Sequence, residues 1–263
     1  MKNILEEIVA HKAKEIDSLK QQFTTADFEN GLFFERIGKS LAKALKERKA
    51  PGIIAEFKRK SPSAGTINAE AKVQQVVKGY TAAGAVGVSV LTDEHYFGGS
   101  LDDLRLARRV LEKPVLRKDF IIDEFQILEA KANGADVILL IAECLDAGKV
   151  KQLATFAKSI NLDVLMEIHS AAQLEKLCPE IDIVGVNNRD LTTFNVDLNA
   201  SRSLAEAIPN DFVKISESGI SQPDSLNDLW QHGYKGFLMG GHFMEKPDPV
   251  KAFELFVTEL ETT

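Results

Sequence analysis

Beyond Pro51, short apolar runs of strand length alternate with longer segments of helical periodicity. Apolar runs of this length, bounded by turn-forming residues, are typical of buried strands. The predicted strands are 53–58, 86–91, 115–118, 136–141, 163–168, 182–186, 213–216 and 236–239. The predicted helices that follow them are 69–83, 100–111, 123–133, 146–159, 170–177, 199–207, 221–231 and 247–260.

This order predicts an α/β fold in which each strand is followed by a helix. Successive strand centres lie roughly 20–33 residues apart, which is the spacing of βα units. Eight units with no strand left over favour a closed (β/α)8 TIM barrel over an open doubly wound sheet. The strands are almost continuously apolar, as expected where both faces are buried.

The chain before the first strand is predicted to be helical. Apolar residues recur there at helical spacing, at Ile4, Leu5, Ile8, Val9 and Ile16. A second amphipathic run covers Phe33 to Leu45, with Asp27 or Asn30 as its predicted cap. We therefore expect one barrel domain over 1–263, of which 1–48 is an N-terminal helical extension that covers one end of the barrel.

The composition of the chain argues against several classes of function. The chain has 263 residues, 44% hydrophobic and 27% charged, with a net charge of −7, so it is predicted to be globular and to bind neither nucleic acid nor a membrane. Cys144 and Cys178 have no zinc or disulfide-framework spacing and are predicted to be reduced thiols in the cytoplasm. The histidines show no metal-ligand spacing, so no metal site is expected.

Charged and polar side chains stand where the predicted strands end. Glu56 and Lys58 alternate with Ile54 and should share its face of the first strand. Later strand ends carry Lys118, Glu143, Glu167, Asn187, Arg189, Glu217 and Ser218. Reacting groups of TIM barrels lie at these ends, and buried charges are costly unless paired. The set predicts a catalytic site, with structural ion pairs around the rim as the alternative.

Glycines after the last two predicted strands indicate an anion site. Ser218 and Gly219 follow the seventh strand, and Gly240 and Gly241 follow the eighth. Glycine permits close approach of backbone N–H groups to a ligand, and the corresponding loops of TIM barrels frequently bind phosphate. The sequence therefore predicts a small phosphorylated substrate.

Seven segments together resemble the indole-3-glycerol phosphate synthase family of tryptophan biosynthesis. They are AEFKRKSPS at 55–63, VLTDEHYFGGS at 90–100, PVLRKDF at 114–120, EIH at 167–169, VNNRDL at 186–191, SESGI at 216–220 and GG at 240–241. The likeness spans almost the whole chain and implies a monofunctional lyase. Its substrate would be 1-(2-carboxyphenylamino)-1-deoxyribulose 5-phosphate, which loses CO₂ and water as the indole ring closes, and no cofactor or metal would be required.

The resemblance also implies residue roles. The implied catalytic residues are Glu56, Lys58, Lys118, Glu167, Asn187 and Glu217, and the implied substrate-binding residues are Ser63, Phe97, Phe120, Arg189, Ser218, Gly219, Gly240 and Gly241. Lys118 would be the general acid of ring closure, and Glu56 would either position Lys118 or remove a proton. Lys58 would bind the substrate carboxylate and could supply a proton later. Glu167 would serve the dehydration steps. The division of labour between the two lysines stays open.

Two other functions stay open at this point. Lys118 could form a Schiff base, as in class I aldolases, which would make the protein a phosphosugar lyase. Alternatively, the barrel could bind a phosphorylated ligand without catalysis. In each case we expect a monomer that acts on a small molecule.

Overall fold

The computed structural model describes residues 4–190 and 195–262. Its strands in chain order are β1 (Gly52–Phe57), β2 (Lys60–Ser61), β3 (Gly65–Thr66), β4 (Gly87–Leu91), β5 (Val115–Lys118), β6 (Val137–Ile141), β7 (Asp163–Ile168), β8 (Ile183–Asn187), β9 (Val213–Glu217) and β10 (Gly236–Met239). β1 and β4 to β10 form a closed barrel of parallel strands, which confirms the predicted TIM barrel. The small β2–β3 hairpin lies in the loop after β1.

Helices surround this barrel and cover its ends. They are α1 (Ile4–Gln22), α2 (Thr25–Glu29), α3 (Leu41–Lys46), α4 (Val73–Ala82), α5 (Leu101–Val110), α6 (Glu124–Ala132), α7 (Ala147–Ser159), α8 (Asn199–Leu204), α9 (Pro223–Gln231), α10 (Gly241–Met244) and α11 (Pro249–Thr262). The segment Ala171–Lys176, predicted as an α-helix, is a 3₁₀ helix. No described helix combines the length and the apolar character that crossing a membrane would demand.

Apolar side chains that alternate along the strands belong to two separate layers of the core. Ile53, Ala55 and Phe57 of β1 pack outward in the layer between strands and helices. Ile54 instead joins the layer inside the barrel, and Glu56 lies on the same face of the strand. The expectation that Glu56 shares the face of Ile54 is therefore confirmed, and that face points into the barrel.

The N-terminal extension covers both ends of the barrel rather than one. Leu5 and Ile8 of α1 pack with Phe120 at the carboxyl ends of the strands. At the amino ends, Leu41 and Leu45 of α3 join the same inner layer. A Cβ added to any of the glycines there, Gly52, Gly87 and Gly236, would lie 2.9–3.0 Å from one of these leucines. Glycine at the strand starts therefore leaves space for the side chains of Leu41 and Leu45.

The predicted helix over Phe33 to Leu45 is wrong in its first half. The structure has turns there, and the helix begins only at Leu41 with Ser40 as its cap, not Asp27 or Asn30. The Lys39 N–H donates to Asp136 Oδ1 at 2.7 Å, so it is not available to a helix carbonyl. This contact holds the chain extended across the amino ends of the barrel.

Candidate active site

The side chains predicted to be functional line one cavity of about 470 Å³ at the carboxyl ends of the strands. The lining includes all of them: Glu56, Lys58, Ser63, Phe97, Lys118, Phe120, Glu167, Asn187, Arg189, Glu217, Ser218, Gly219, Gly240 and Gly241. Seven barrel strands and their following loops supply this set. Parallel strands direct their carboxyl ends to one side of the barrel, which is why residues so distant in sequence meet.

Lys118 lies at the centre of the charged groups. Its Nζ donates to Glu167 Oε2 at 2.6 Å and to Glu217 Oε2 at 2.8 Å. Burial lowers the pKa of Lys118, but the carboxylates of Glu167, Glu217 and Glu56 outweigh that effect and raise it overall. The lysine is therefore held as an ammonium ion, a proton donor inside the cavity.

The two carboxylates beside Lys118 are shifted in opposite directions. Burial would raise the pKa of Glu167, but Lys118, together with His169 and a hydrogen bond from Asn187, lowers it to about 2. Burial and the charge of Glu167 raise the pKa of Glu217 to about 7, even though Lys118 opposes the shift. Pairs of titratable groups with divergent pKa values are characteristic of acid–base sites.

Glu56 and Lys58 form a second pair on the first strand. Lys58 Nζ lies 2.7 Å from Glu56 Oε1. The resemblance implies that Glu56 positions Lys118, but in the structure its ion pair is with Lys58, and it acts on Lys118 as a nearby charge. A Cβ at Gly240 would lie 2.5 Å from Glu56 Oε1, so only glycine leaves room for this carboxylate.

The loop after β8 contributes an amide and a cation. Asn187 Nδ2 donates to Glu167 Oε1 at 3.0 Å, and Asn187 Oδ1 accepts the backbone N–H of Arg189 at 3.0 Å. These bonds fix the orientation of the Asn187 amide. Leu191, the last residue of the VNNRDL motif, lies outside the described residues.

The loops after β9 and β10 have the geometry of an anion cradle. Ser218 and Gly219 have φ values of 68° and 73°, a left-handed backbone of the kind that glycine adopts where the chain approaches a ligand closely. Within the described residues, the N–H groups of Gly219 and Gly241 donate no hydrogen bond. A Cβ at Gly219 would lie 2.1 Å from Val196. Ser63 also lines the cavity, from an exposed position in the loop after β1, the strand that pairs with β10.

Two phenylalanines form the apolar wall. The ring centroids of Phe97 and Phe120 are 6.0 Å apart, with the planes tilted by 39°. Asp93 Oδ1 accepts the Phe97 N–H at 3.1 Å, and Asp119 Oδ1 accepts the Phe120 N–H at 2.8 Å. Each aromatic residue is therefore held by a buried aspartate.

Sequence reasoning missed the residue that connects those aspartates. Lys12 of α1 is only 4% exposed, and its Nζ lies 2.9 Å from Asp93 and 3.1 Å from Asp119. It ties the helix over the cavity to the two loops that carry the phenylalanines. The signal was present, because Lys12 stands on the buried stripe of α1 between Ile8 and Ile16.

Glu143 is a strand-end residue that the structure does not bring into the cavity. Its side chain is exposed and accepts a hydrogen bond from Gln173 Nε2. His169 lies beside the site, with Nε2 3.7 Å from Glu167 Oε1. Among the described residues, no three His, Cys, Asp or Glu side chains are grouped as metal ligands.

Comparison with solved structures recovers the fold. A chain of the tryptophan synthase a2b2 complex from Pyrococcus furiosus aligns with a TM-score of 0.60 at 15% identity, over 81% of this chain and 98% of that chain. The 3-hexulose-6-phosphate synthase from Salmonella typhimurium aligns with a TM-score of 0.64 at 13% identity, over 80% and 99%. At these identities the likeness shows the fold alone.

Comparison with sequences shows the family. The family model described as indole-3-glycerol phosphate synthase matches residues 5–256. The indole-3-glycerol phosphate synthase of Bacteroides thetaiotaomicron is 45% identical over 99% of this chain and 100% of its own length. That of Campylobacter fetus subsp. fetus is 40% identical over 92% and 95%. The chain belongs to the indole-3-glycerol phosphate synthase family.

Proposed function

We propose that the protein converts 1-(2-carboxyphenylamino)-1-deoxyribulose 5-phosphate to indole-3-glycerol phosphate, CO₂ and water. The observation that carries this proposal is the buried ammonium of Lys118 between Glu167 and Glu217, in a cavity that also has an apolar wall and an anion cradle. Such a cavity can hold the two ends of the substrate while proton donors and acceptors face its reacting middle.

Substrate binding uses opposite sides of the cavity. The phosphate dianion binds the N–H groups of Gly219 and Gly241, with Ser218 and Gly240 in the same two loops and Ser63 in the loop after the neighbouring strand β1. The aromatic ring packs against Phe97 and Phe120. Lys58 and Arg189 supply positive charge for its carboxylate. Fixing both ends aligns the ring carbon with the ketone, which lowers the entropic part of the barrier.

Ring closure requires an acid at the ketone oxygen. As the aromatic carbon attacks, the C=O π electrons move to oxygen, and Lys118 gives that oxygen a proton. Because three carboxylates raise the pKa of Lys118 in spite of its burial, the lysine carries the proton before the reaction begins. Glu56 keeps Lys58 beside the substrate carboxylate through the 2.7 Å ion pair.

The later steps use the carboxylates. CO₂ leaves with its carbon–carbon bond electrons passing to the ring system, and the new hydroxyl then departs as water after protonation. Glu167, ionised at neutral pH, accepts the proton that is lost from the carbon chain. Glu217, with its pKa raised to about 7 by burial, and Asn187 hold the substrate hydroxyls.

Charge disfavours the Schiff-base alternative. Imine formation requires a neutral amine, whereas the surroundings of Lys118 raise its pKa and favour the ammonium. A purely binding role would not explain the grouping of Lys118, Glu167 and Glu217 in the cavity. We further propose that the protein acts as a monomer in the cytoplasm, since one chain supplies the whole cavity lining and both cysteines are free.

Turnover of the named substrate tests the proposal. Purified protein is mixed with the carboxyphenylamino substrate in the absence of added metal, and indole fluorescence is followed. We expect fluorescence to rise in the wild type and not in Lys118→Met. Cyanoborohydride, which reduces an iminium ion but spares a ketone at neutral pH, should leave the activity unchanged when it is added during turnover. No indole product from the wild type would reject the proposal, and inactivation by cyanoborohydride would favour the Schiff-base lyase.

A further inference from the structure

His169 has an unusual environment beside the cavity. Its side chain is 15% exposed, but both ring nitrogens are buried and form no hydrogen bond with any described residue. Its backbone N–H is held by Gln173 Oε1 at 2.6 Å. Buried polar side-chain atoms are normally hydrogen-bonded, so two unpartnered nitrogens in one ring need an explanation.

The nearest acidic group to this ring is Glu167. His169 Nε2 lies 3.7 Å from Glu167 Oε1, and Glu167 Oε2 lies 2.6 Å from Lys118 Nζ. A small rotation of the imidazole ring shortens this separation to that of a hydrogen bond. The imidazole, the carboxylate and the ammonium therefore form a continuous series of proton-carrying groups from the edge of the cavity to its centre.

The proposed reaction creates a need for such a series. The substrate carboxylate bears one negative charge at neutral pH, and it leaves as uncharged CO₂. Two protons enter the substrate, one at the ketone oxygen and one at the departing hydroxyl, while one proton is lost from the carbon chain. Each turnover thus removes one proton from the active-site groups, and that proton has to be replaced from solvent.

We infer that His169 replaces this proton by acting on Lys118 through Glu167. An imidazolium N–H bond breaks and its proton adds to a Glu167 oxygen, and the Glu167 O–H bond then breaks as the proton passes to the neutral Lys118 amine. The neutral imidazole takes a new proton from water. Imidazole suits this role because it gains and releases protons near neutral pH. His169 is a positioning residue in this scheme, since it does not touch the substrate.

The His169 ring can present a nitrogen to Glu167 or to the exposed edge of the cavity. A half-turn about χ2 exchanges the positions of its nitrogens and carbons, so a nitrogen can face either Glu167 or the exposed edge. The acidic group beside the ring is Glu167 on β7, and Gln173, which holds the His169 backbone N–H, also donates to Glu143 after β6.

The inference rests on the proposed function, so wild-type turnover is measured first. His169→Gln keeps the size and a polar end but cannot carry a net proton, and His169→Ala leaves space for added imidazole. The matched control is His232→Gln, an exposed histidine at the end of α9. We expect kcat to fall at least about tenfold in the His169 variants, less than the ~100-fold or more expected for a group that itself protonates substrate.

Rescue by added imidazole distinguishes a role of His169 in proton supply from a purely structural role. We expect added imidazole to raise kcat of His169→Ala several-fold, with little change in KM, and to leave His169→Gln and the control unaffected. If wild-type protein turns over and His169→Gln retains full kcat, the inference is wrong. It is also wrong if kcat falls but imidazole restores none of the activity of His169→Ala. An inactive wild type would instead reject the proposed function.

Discussion

Replacing Lys118 with methionine removes the buried ammonium and keeps a side chain of similar length. A positioned general acid contributes about 10²–10⁴-fold to a rate, which corresponds to about 2.7–5.4 kcal/mol of barrier. The substitution should cost at least this much, because Lys58, the other lysine of the cavity lining, is paired with Glu56. Indole fluorescence with saturating substrate measures kcat.

Lys118→Met also leaves Glu167 and Glu217 without their shared cation. Loss of one partner from a buried ion pair costs about 3–5 kcal/mol, which corresponds to a Tm lower by about 6–20 °C for a chain of this size. Lys118→Arg is the matched control, because its guanidinium keeps the positive charge but does not release a proton. We expect Lys118→Arg to recover stability but not activity. A folded Lys118→Met variant with near-wild-type kcat would refute the assignment of the acid.

Three further outcomes are expected. Burial raises the folded-state pKa of Glu217 to about 7, so between about pH 5 and 7 the native state keeps a proton that the unfolded chain has lost. The stability of the fold therefore falls as pH rises over this range. The difference between the Tm of the wild type and the Tm of Glu217→Gln should decrease accordingly. Lys12→Met should lower Tm and raise KM more than it lowers kcat, since Asp119 loses its partner from α1. Gly219→Ala, whose Cβ would clash with Val196, should raise KM for the phosphorylated substrate about tenfold or more, and an unchanged KM would count against the cradle.

The barrel was predictable because each strand is a compact apolar run bounded by turns. The inward direction of Glu56 followed from simple alternation with Ile54. The N-terminal extension was harder, because the amphipathic pattern over Phe33 to Leu45 continues through a segment that Asp136 holds extended. A tertiary hydrogen bond to a residue about 100 positions away has no local signature.

The residues that line the cavity were predictable, and so was the proximity of Glu56 and Lys58, but the pairing of Lys118 with two glutamates was not. Strand ends identify which side chains reach the cavity, and Lys118 and Glu167 were both found in this way. Their ion pair, and that of Lys118 with Glu217, join residues 49 and 99 positions apart. These contacts depend on the register of the barrel strands and on the side-chain rotamers. The hydrophobic periodicity of the sequence specifies neither of them. Lys12 was missed because a lysine within a helix is ordinarily solvent-exposed.

A crystal structure of the protein with bound indole-3-glycerol phosphate would show whether this cavity holds the product as proposed. We expect the phosphate against the backbone of Gly219 and Gly241, the indole ring beside Phe97 and Phe120, and Lys118 facing the newly formed ring. A phosphate bound elsewhere, with Lys118 turned away from the product, would contradict this expectation.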